Sequence, residues 1–209
     1  RDLVLINPKC DLDKAVKTAK HGRDIIKKAK IKKFPYLKEF DYLIGTTAIL
    51  GTDYNIPRNP IMPWQLSEKL SNINLKKIKI ALLIGRESSG LSNKEIDMCD
   101  ILVTIPASKK YPTLNISHAS AILFYELFKN KENKSNEHIK FATKNEKEII
   151  LDYINKAVDK LEFATKEKKE TQKKVWKRVI GKALLTKREA FAVMGFLRKL
   201  LRKGKININ

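Results

Sequence analysis

The residues with the most chemical potential in this chain fall in two short stretches. One is Thr113-Leu114-Asn115-Ile116-Ser117, led by Tyr111-Pro112, and the other is Gly85-Arg86-Glu87-Ser88-Ser89-Gly90. Hydroxyls, a carboxamide and a carboxylate next to a helix start can hold a small polar ligand through side-chain and backbone hydrogen bonds. Each has a plain structural alternative: Ser117 as an N-cap, Asn115 as a turn residue, Gly85 as a strand end. His118 follows the helix start and reads as structural. The histidines His21, His118 and His138 and the cysteines Cys10 and Cys99 lack metal-ligand spacing. No GxGxxG or GxxxxGK[ST] motif follows any apolar run, which argues against an open dinucleotide site or a P-loop.

Short apolar runs must carry these stretches. Ile101 to Ile105 reads as a buried strand stopped by Pro106, and from Ser117 the spacing of Ala119, Ile122, Leu123 and Leu127 predicts a helix. Ile78 to Ile84 reads as a strand ending at Gly85, and Tyr42 to Ile44 as one ending at Gly45-Thr46-Thr47-Ala48. Leu3 to Ile6 is a further strand, followed by a helical region from about Leu12 to Ala29 broken at His21-Gly22. Tyr54 to Pro63 reads as a loop, with Pro63 opening a helix through Leu70. Ser92 and Glu95 make a capping box for a short helix through Met98. Strands alternating with helices predict an α/β fold whose parallel sheet has helices on both faces. Ligands in such sheets bind beyond the carboxyl ends of the strands. Three such ends, Gly45-Thr46-Thr47, Gly85-Arg86-Glu87 and Ile105-Pro106, meet in one crevice if their strands are neighbours.

After a polar linker at 129–142 the pattern becomes helical throughout. Thr143 and Glu146 form a capping box before a stripe of Ile149, Tyr153, Ala157 and Leu161. A second helix carries Val175, Trp176, Val179, Ile180, Ala183 and Leu184, with Trp176 read as core. Thr186 and Glu189 cap a third, whose apolar face is Phe191, Met194, Leu197, Leu200 and Leu201. The expected organisation is an α/β domain over 1–128, the linker, and a small α-helical domain over 143–209.

Charge singles out a polyanionic partner. The 209 residues hold 44 Lys plus Arg against 23 Asp plus Glu, a net +21. Residues 168–209 alone carry 14 basic and 2 acidic side chains. Nucleic acid is the obvious partner, an anionic membrane surface the alternative. Lys173, Lys174, Lys177, Arg178, Arg198 and Arg202, with Arg58 and Arg86 nearer the crevice, are the candidate phosphate contacts. A solvated helix face is the plain reading of the same lysines. Two thiols without a disulfide framework suit a reduced, cytoplasmic setting, and no apolar run reaches the length of a membrane span. The first residue is Arg1 rather than Met, so the natural start is expected upstream.

Taken together, IGRESSGLS at 84–92 and CDILVTIPASKKYPTLNISHA at 99–119 resemble the second and third motifs of the SPOUT (SpoU/TrmH) methyltransferases, most closely the TrmJ-type tRNA 2′-O-methyltransferases. The resemblance spans about residues 3–127. It implies a trefoil-knotted parallel sheet, a homodimer, S-adenosylmethionine as methyl donor, S-adenosylhomocysteine as product and no metal. It also implies transfer to a ribose 2′-hydroxyl of tRNA at the first nucleotide of the anticodon loop, nucleotide 32. By the same resemblance Leu114 and the backbone at Ile105 would hold the donor's adenine and ribose. Thr46, Thr47 and Ala48 would line the pocket, and Gly85 would allow close approach. Glu87 would fix the loop or its ligands, Thr113 and Asn115 would orient the donor's tail and the target ribose, and Ser117 would steady the helix start. The family's first motif, an Asn-x-Gly segment and a helical arginine that activates the 2′-hydroxyl, would precede Leu3–Ile6, so it is expected upstream of Arg1. Two alternatives share the fold: an rRNA 2′-O-methyltransferase and a non-catalytic RNA-binding protein.

Overall fold

The computed structural model describes residues 2–49, 59–71, 73, 77–108, 110–129 and 139–203. The chain divides into two compact units, residues 1–39 and 40–209.

In the first unit β1 (Val4–Ile6) pairs in parallel with β2 (Lys30–Lys32), Val4 opposite Lys30 and Ile6 opposite Lys32. The crossover holds α1 (Leu12–Thr18) and α2 (Arg23–Lys27) with a 3-10 turn at Lys20–Gly22 between them. The Asp11 carboxylate caps α1 by accepting the Asp13 N–H at 2.9 Å. The helical region thus breaks at His21-Gly22 as the sequence predicts. Strand β2 has no counterpart in the sequence reading, because Lys-Ile-Lys is exposed throughout and lacks an apolar run. It pairs with β1, so the described residues form two parallel sheets where the sequence reads as one.

The second unit is built on β3 (Tyr42–Thr46), β4 (Ile80–Leu83) and β5 (Ile101–Val103), ordered β4-β3-β5 and all parallel. Ile44 faces Leu82 on one side and Ile101 on the other. Ile61 adds a parallel bridge to Val103 along the far side of β5. Strands β3 and β5 are buried along most of their length, as expected of short apolar strands inside a parallel sheet. Helices α3 (Pro63–Ser71) and α5 (Ile116–Lys129) pack on each other. Leu66 and Leu123 anchor them in a core with Tyr42, Ile44, Ile101 and Val103. Each fully buried side chain of this size contributes about 1.5–3 kcal/mol. The short helix α4 (Asn93–Met98) carries the predicted Ser92–Glu95 capping box.

Three helices complete the unit: α6 (Lys144–Lys160), α7 (Lys166–Ala183) and α8 (Lys187–Lys203). Capping boxes at Thr143–Glu146 and Thr186–Glu189 form as predicted. The buried stripe of α6 is Ile150, Ile154 and Val158, one residue along from the predicted one, and Leu161 is exposed. The stripe follows its partners: α6 packs against both α7 and α8, and its buried cluster takes Ile180, Ala190, Met194 and Leu197 from them. On α8, Met194 and Leu197 are buried as expected, whereas Phe191 is exposed. Helix α7 also packs on β5, so the helical segment and the sheet share contacts within one unit.

Candidate functional site

Parallel alignment of β3, β4 and β5 brings their carboxyl ends side by side, and a cleft of about 280 Å³ opens there. This lies just under the ~300–1,000 Å³ of typical small-molecule sites. Its walls are Thr46–Ile49 after β3, Ile84–Leu91 after β4, and Val103 and Ile105 at β5. Pro112–Leu114, Ile116, Ala119 and Leu123 close it from the loop and helix that follow. Apolar walls with a hydroxyl and carboxylate rim suit a flat heterocycle carrying a polar tail.

The turn after β4 is closely tied. Arg86 and Gly90 exchange both backbone hydrogen bonds, at 3.1 and 2.8 Å. Gly90 has φ +63°, a region that glycine enters without penalty. A Cβ on Gly85 would lie 2.2 Å from the Gly90 carbonyl carbon, so only glycine lets the turn fold back so closely. The Arg86 guanidinium forks onto Glu95, Nη1 to Oε2 at 3.0 Å and Nη2 to Oε1 at 2.9 Å. With that pairing and the Ser92 N–H donating to Oε2 at 2.6 Å, the Glu95 carboxyl is lowered to about 2. Glu87, at the turn's tip, reaches the first amide of α5, its oxygens 3.3 and 3.4 Å from the Ile116 nitrogen. A carboxylate is favoured there by the helix dipole.

Asn115, not Ser117, is the N-cap of α5. Its Oδ1 accepts from the Ser117 N–H at 2.9 Å and the Ser117 hydroxyl at 2.7 Å, and its carbonyl accepts the Ala119 N–H. Thr46 donates its hydroxyl to the Leu83 carbonyl at 3.1 Å, tying β3 to β4, and the Thr47 hydroxyl donates to the Ile49 carbonyl. The cleft therefore brings together Thr46, Thr47, Ala48, Gly85, Glu87, Ile105, Thr113 and Leu114 of the expected residues. Asn115 and Ser117 stand behind it at the helix cap. Arg58 lies outside the described residues. Among those described, no three His, Cys, Asp or Glu side chains are grouped to hold a metal, and no helix is long and apolar enough to cross a membrane. Burial pushes the Cys99 thiol up to about 12, so it stays protonated at neutral pH.

The basic candidates separate into inward and outward groups. Arg178 is only 7% exposed and donates to the carbonyls of Cys99 (2.6 Å) and Ile96 (2.8 Å), closing the end of α4. Lys177 donates to the Asp97 carbonyl, and Lys173 pairs with Asp159 at 2.9 Å and Glu170 at 3.2 Å. Arg178 is thus a structural clamp rather than a surface contact, while Lys174, Arg198 and Arg202 are exposed. The signal in the sequence is Gly181: a Cβ there would meet the Asp100 carbonyl oxygen at 2.6 Å, which marks this face of α7 as the one that packs. Trp176, read as core, is 41% exposed, because the buried face runs through Arg178, Gly181 and Leu184 instead.

Lys147 escaped the sequence reading. It is buried, ion-paired with Asp100 at 2.6 Å and poised 3.7 Å from the Tyr42 ring centre. Desolvation lowers its pKa, and the Asp100 charge opposes that shift. The other Asp100 oxygen accepts the Leu43 N–H at 2.9 Å, and the Tyr42 hydroxyl donates to the Ala142 carbonyl.

A parallel α/β protein with a ligand cleft across adjacent strand tips, lacking a glycine-rich dinucleotide loop, defines the class. The family follows from comparison with known proteins. The profile of the SpoU rRNA Methylase family matches residues 1–125, and the chain belongs to that family. The tRNA (cytidine-2′-O-)-methyltransferase TrmJ of Methanocaldococcus jannaschii is 37% identical over 186 residues, covering 87% of this chain and 80% of the relative. The enzyme of the same name from Sulfolobus acidocaldarius is 36% identical over 206 residues, covering 95% and 81%. Among solved structures, TrmJ from Z. mobilis shares the fold, with a TM-score of 0.61 at 17% identity, covering 96% of this chain and 98% of that one.

Proposed function

We propose that this chain is the methyl-transferring part of a tRNA ribose 2′-O-methyltransferase that uses S-adenosylmethionine. The carrying observation is the cleft at the three strand tips, walled by the same segments that resemble the family's second and third motifs. S-adenosylmethionine, bound there, supplies a sulfonium-activated methyl group. Ile105 and Leu114 offer apolar surface for its adenine, with Thr46, Thr47 and Ala48 beside them. Gly85 keeps the wall thin, Thr113 at the lip orients the target ribose, and Glu87, Asn115 and Ser117 fix the loop and helix cap that present it. Holding the attacking oxygen and the methyl carbon in line is the main contribution asked of such a site.

Substrate placement belongs to the same proposal. The exposed cations Lys174, Arg198 and Arg202 on the helices would follow tRNA phosphates toward nucleotide 32. Residues 1–128 form the methyltransferase portion, 129–142 the linker and 143–209 the basic helical portion. The segment after Ile105 threads through a trefoil knot. The exposed aromatic stripe of Phe124, Tyr125 and Phe128 on α5 would lie against a second copy in a homodimer. The working compartment is the cytoplasm.

The test incubates the full-length protein with labelled S-adenosylmethionine and tRNA or rRNA, followed by nuclease digestion. Labelled 2′-O-methylnucleoside from tRNA position 32 is expected. Label in rRNA alone would transfer the reading to the substrate in the family's description. Salt-sensitive RNA binding without any cofactor-induced rise in melting temperature would overturn the enzymatic reading.

A further inference from the structure

Arg86 stands at the rim of the cleft, and its charge invites a role as a phosphate contact. Its geometry argues otherwise. Both terminal nitrogens are engaged by Glu95 in a bidentate fork, and Nη1 also lies 3.4 Å from the Gly90 carbonyl. The fork commits a hydrogen on each terminal nitrogen, and the Glu95 carboxylate neutralises the charge that a phosphate would seek. Glu95 is itself fixed, since it belongs to the capping box that starts α4. The fork therefore ties the turn at 86–90 to a helix end, and that turn is a wall of the cleft. Glu87, the next residue, leaves the turn toward the Ile116 amide at the start of α5. The chain of contacts runs from α4 through Glu95, Arg86 and Glu87 to α5, around one side of the cleft.

We propose that Arg86 and Glu95 are positioning residues for the methyl donor: their fork holds the 86–90 turn so that Glu87 and the Gly85 backbone meet the ligand in one geometry. This deepens the reading of the cleft as a methyl-donor site and rests on it. Neither side chain touches the reacting atoms. The Arg86 side chain is 62% exposed against 12% for Glu95, and solvent at the arginine screens the pair, so its main effect lies in placement rather than folding.

The experiment compares the full chain with Arg86→Ala, Arg86→Lys, Glu95→Gln and the double variant Arg86→Ala/Glu95→Gln. Calorimetry gives the dissociation constant for S-adenosylmethionine, filter binding gives that for tRNA, and hydrogen exchange follows the Gly90 and Ile116 amides. The expected result is a rise of about tenfold or more in the cofactor dissociation constant for Arg86→Ala and for Glu95→Gln. The double variant should be no worse than the weaker single, because the two act through one contact. Arg86→Lys should recover part of the loss, since lysine keeps the charge without the fork. Exchange at Gly90 should quicken in each variant, tRNA affinity should stay within about twofold, and melting should fall by no more than about 4 °C.

Weaker tRNA binding with a shallower salt dependence for Arg86→Ala, and unchanged cofactor affinity, would overturn the proposal in favour of a phosphate contact. Additive losses would also overturn it. A wild-type chain that binds no S-adenosylmethionine would refute the methyl-donor reading separately, and the exchange measurement would still decide the fork: unchanged Gly90 exchange in the variants sinks it.

Discussion

Replacing Lys147 with methionine removes the ammonium from the ion pair beneath β3 and keeps most of the side chain's volume. What remains is the Asp100 carboxylate, only 18% exposed, with Oδ2 still accepting the Leu43 N–H and Oδ1 without its 2.6 Å partner. Removing one member of a buried pair typically costs about 3–5 kcal/mol, because the other charge is left uncompensated. The retained backbone bond and the partial access of water place this case at the low end, about 3 kcal/mol. For a chain of this size each kcal/mol lowers the melting temperature by about 2–4 °C, so a fall of about 6–12 °C is expected. The double variant Lys147→Met/Asp100→Asn removes both charges and leaves an acceptor for Leu43. It should recover at least about 1.5 kcal/mol of the single variant's loss. Urea unfolding followed by circular dichroism, with the slope m held constant across variants, measures both numbers. A loss below about 0.5 kcal/mol for Lys147→Met, or a double variant less stable than the single, would refute the reasoning.

Three further outcomes are accessible. Gly85→Ala puts a methyl group into the Gly90 backbone and should abolish cofactor binding in calorimetry, with the fold of the helical segment retained by circular dichroism. Phe124→Ser/Tyr125→Ser on the exposed face of α5 should shift sedimentation from a dimer toward a monomer. Glu95 has its carboxyl depressed from 4.5 to about 2, chiefly by the Arg86 guanidinium, so its contribution is present above pH 4.5 and is lost as pH falls toward 2. Wild type should therefore lose more melting temperature between pH 6 and pH 3 than Glu95→Gln does; equal losses would contradict the assignment.

Features whose chemistry is local were legible in the sequence. Three Ser/Thr-x-x-Glu boxes form because each pairs two backbone donors within four residues. Apolar runs placed β3, β4 and β5, and the three polar tips then had to converge once those strands became parallel neighbours. What failed was decided by distant partners. On α6 two stripes of spacing four compete, and the packing of α7 and α8 selects Ile150, Ile154 and Val158. Trp176 turns out and Arg178 turns in because the close approach of Gly181 to Asp100 sets the rotation of α7. Strand β2 carries no apolar run at all, and its pairing with β1 is a backbone matter. Asn115 took the cap expected of Ser117 because the helix begins two residues earlier than the apolar spacing suggests.

The inward-turned cations make one short connection the meeting point of the second unit. Arg178 and Lys177 from α7 hold the carbonyls of Ile96, Asp97 and Cys99, and Lys147 from α6 holds the next side chain, Asp100. From the other side, Arg86 grips Glu95 in the first turn of the same helix α4. Immediately after Asp100 the chain enters β5, whose far end is a wall of the cleft. A helical segment that merely carried cations for RNA would gain nothing from burying an arginine and a lysine, since desolvating a charge is costly unless it is fully paired. Here Lys147 is ion-paired with Asp100 and Arg178 is held by the carbonyls of Ile96 and Cys99, and these partners lie in the residues that lead into β5. The basic helices are therefore part of what shapes the cleft, and shortening the chain before α7 should cost the cleft its geometry along with any phosphate contacts.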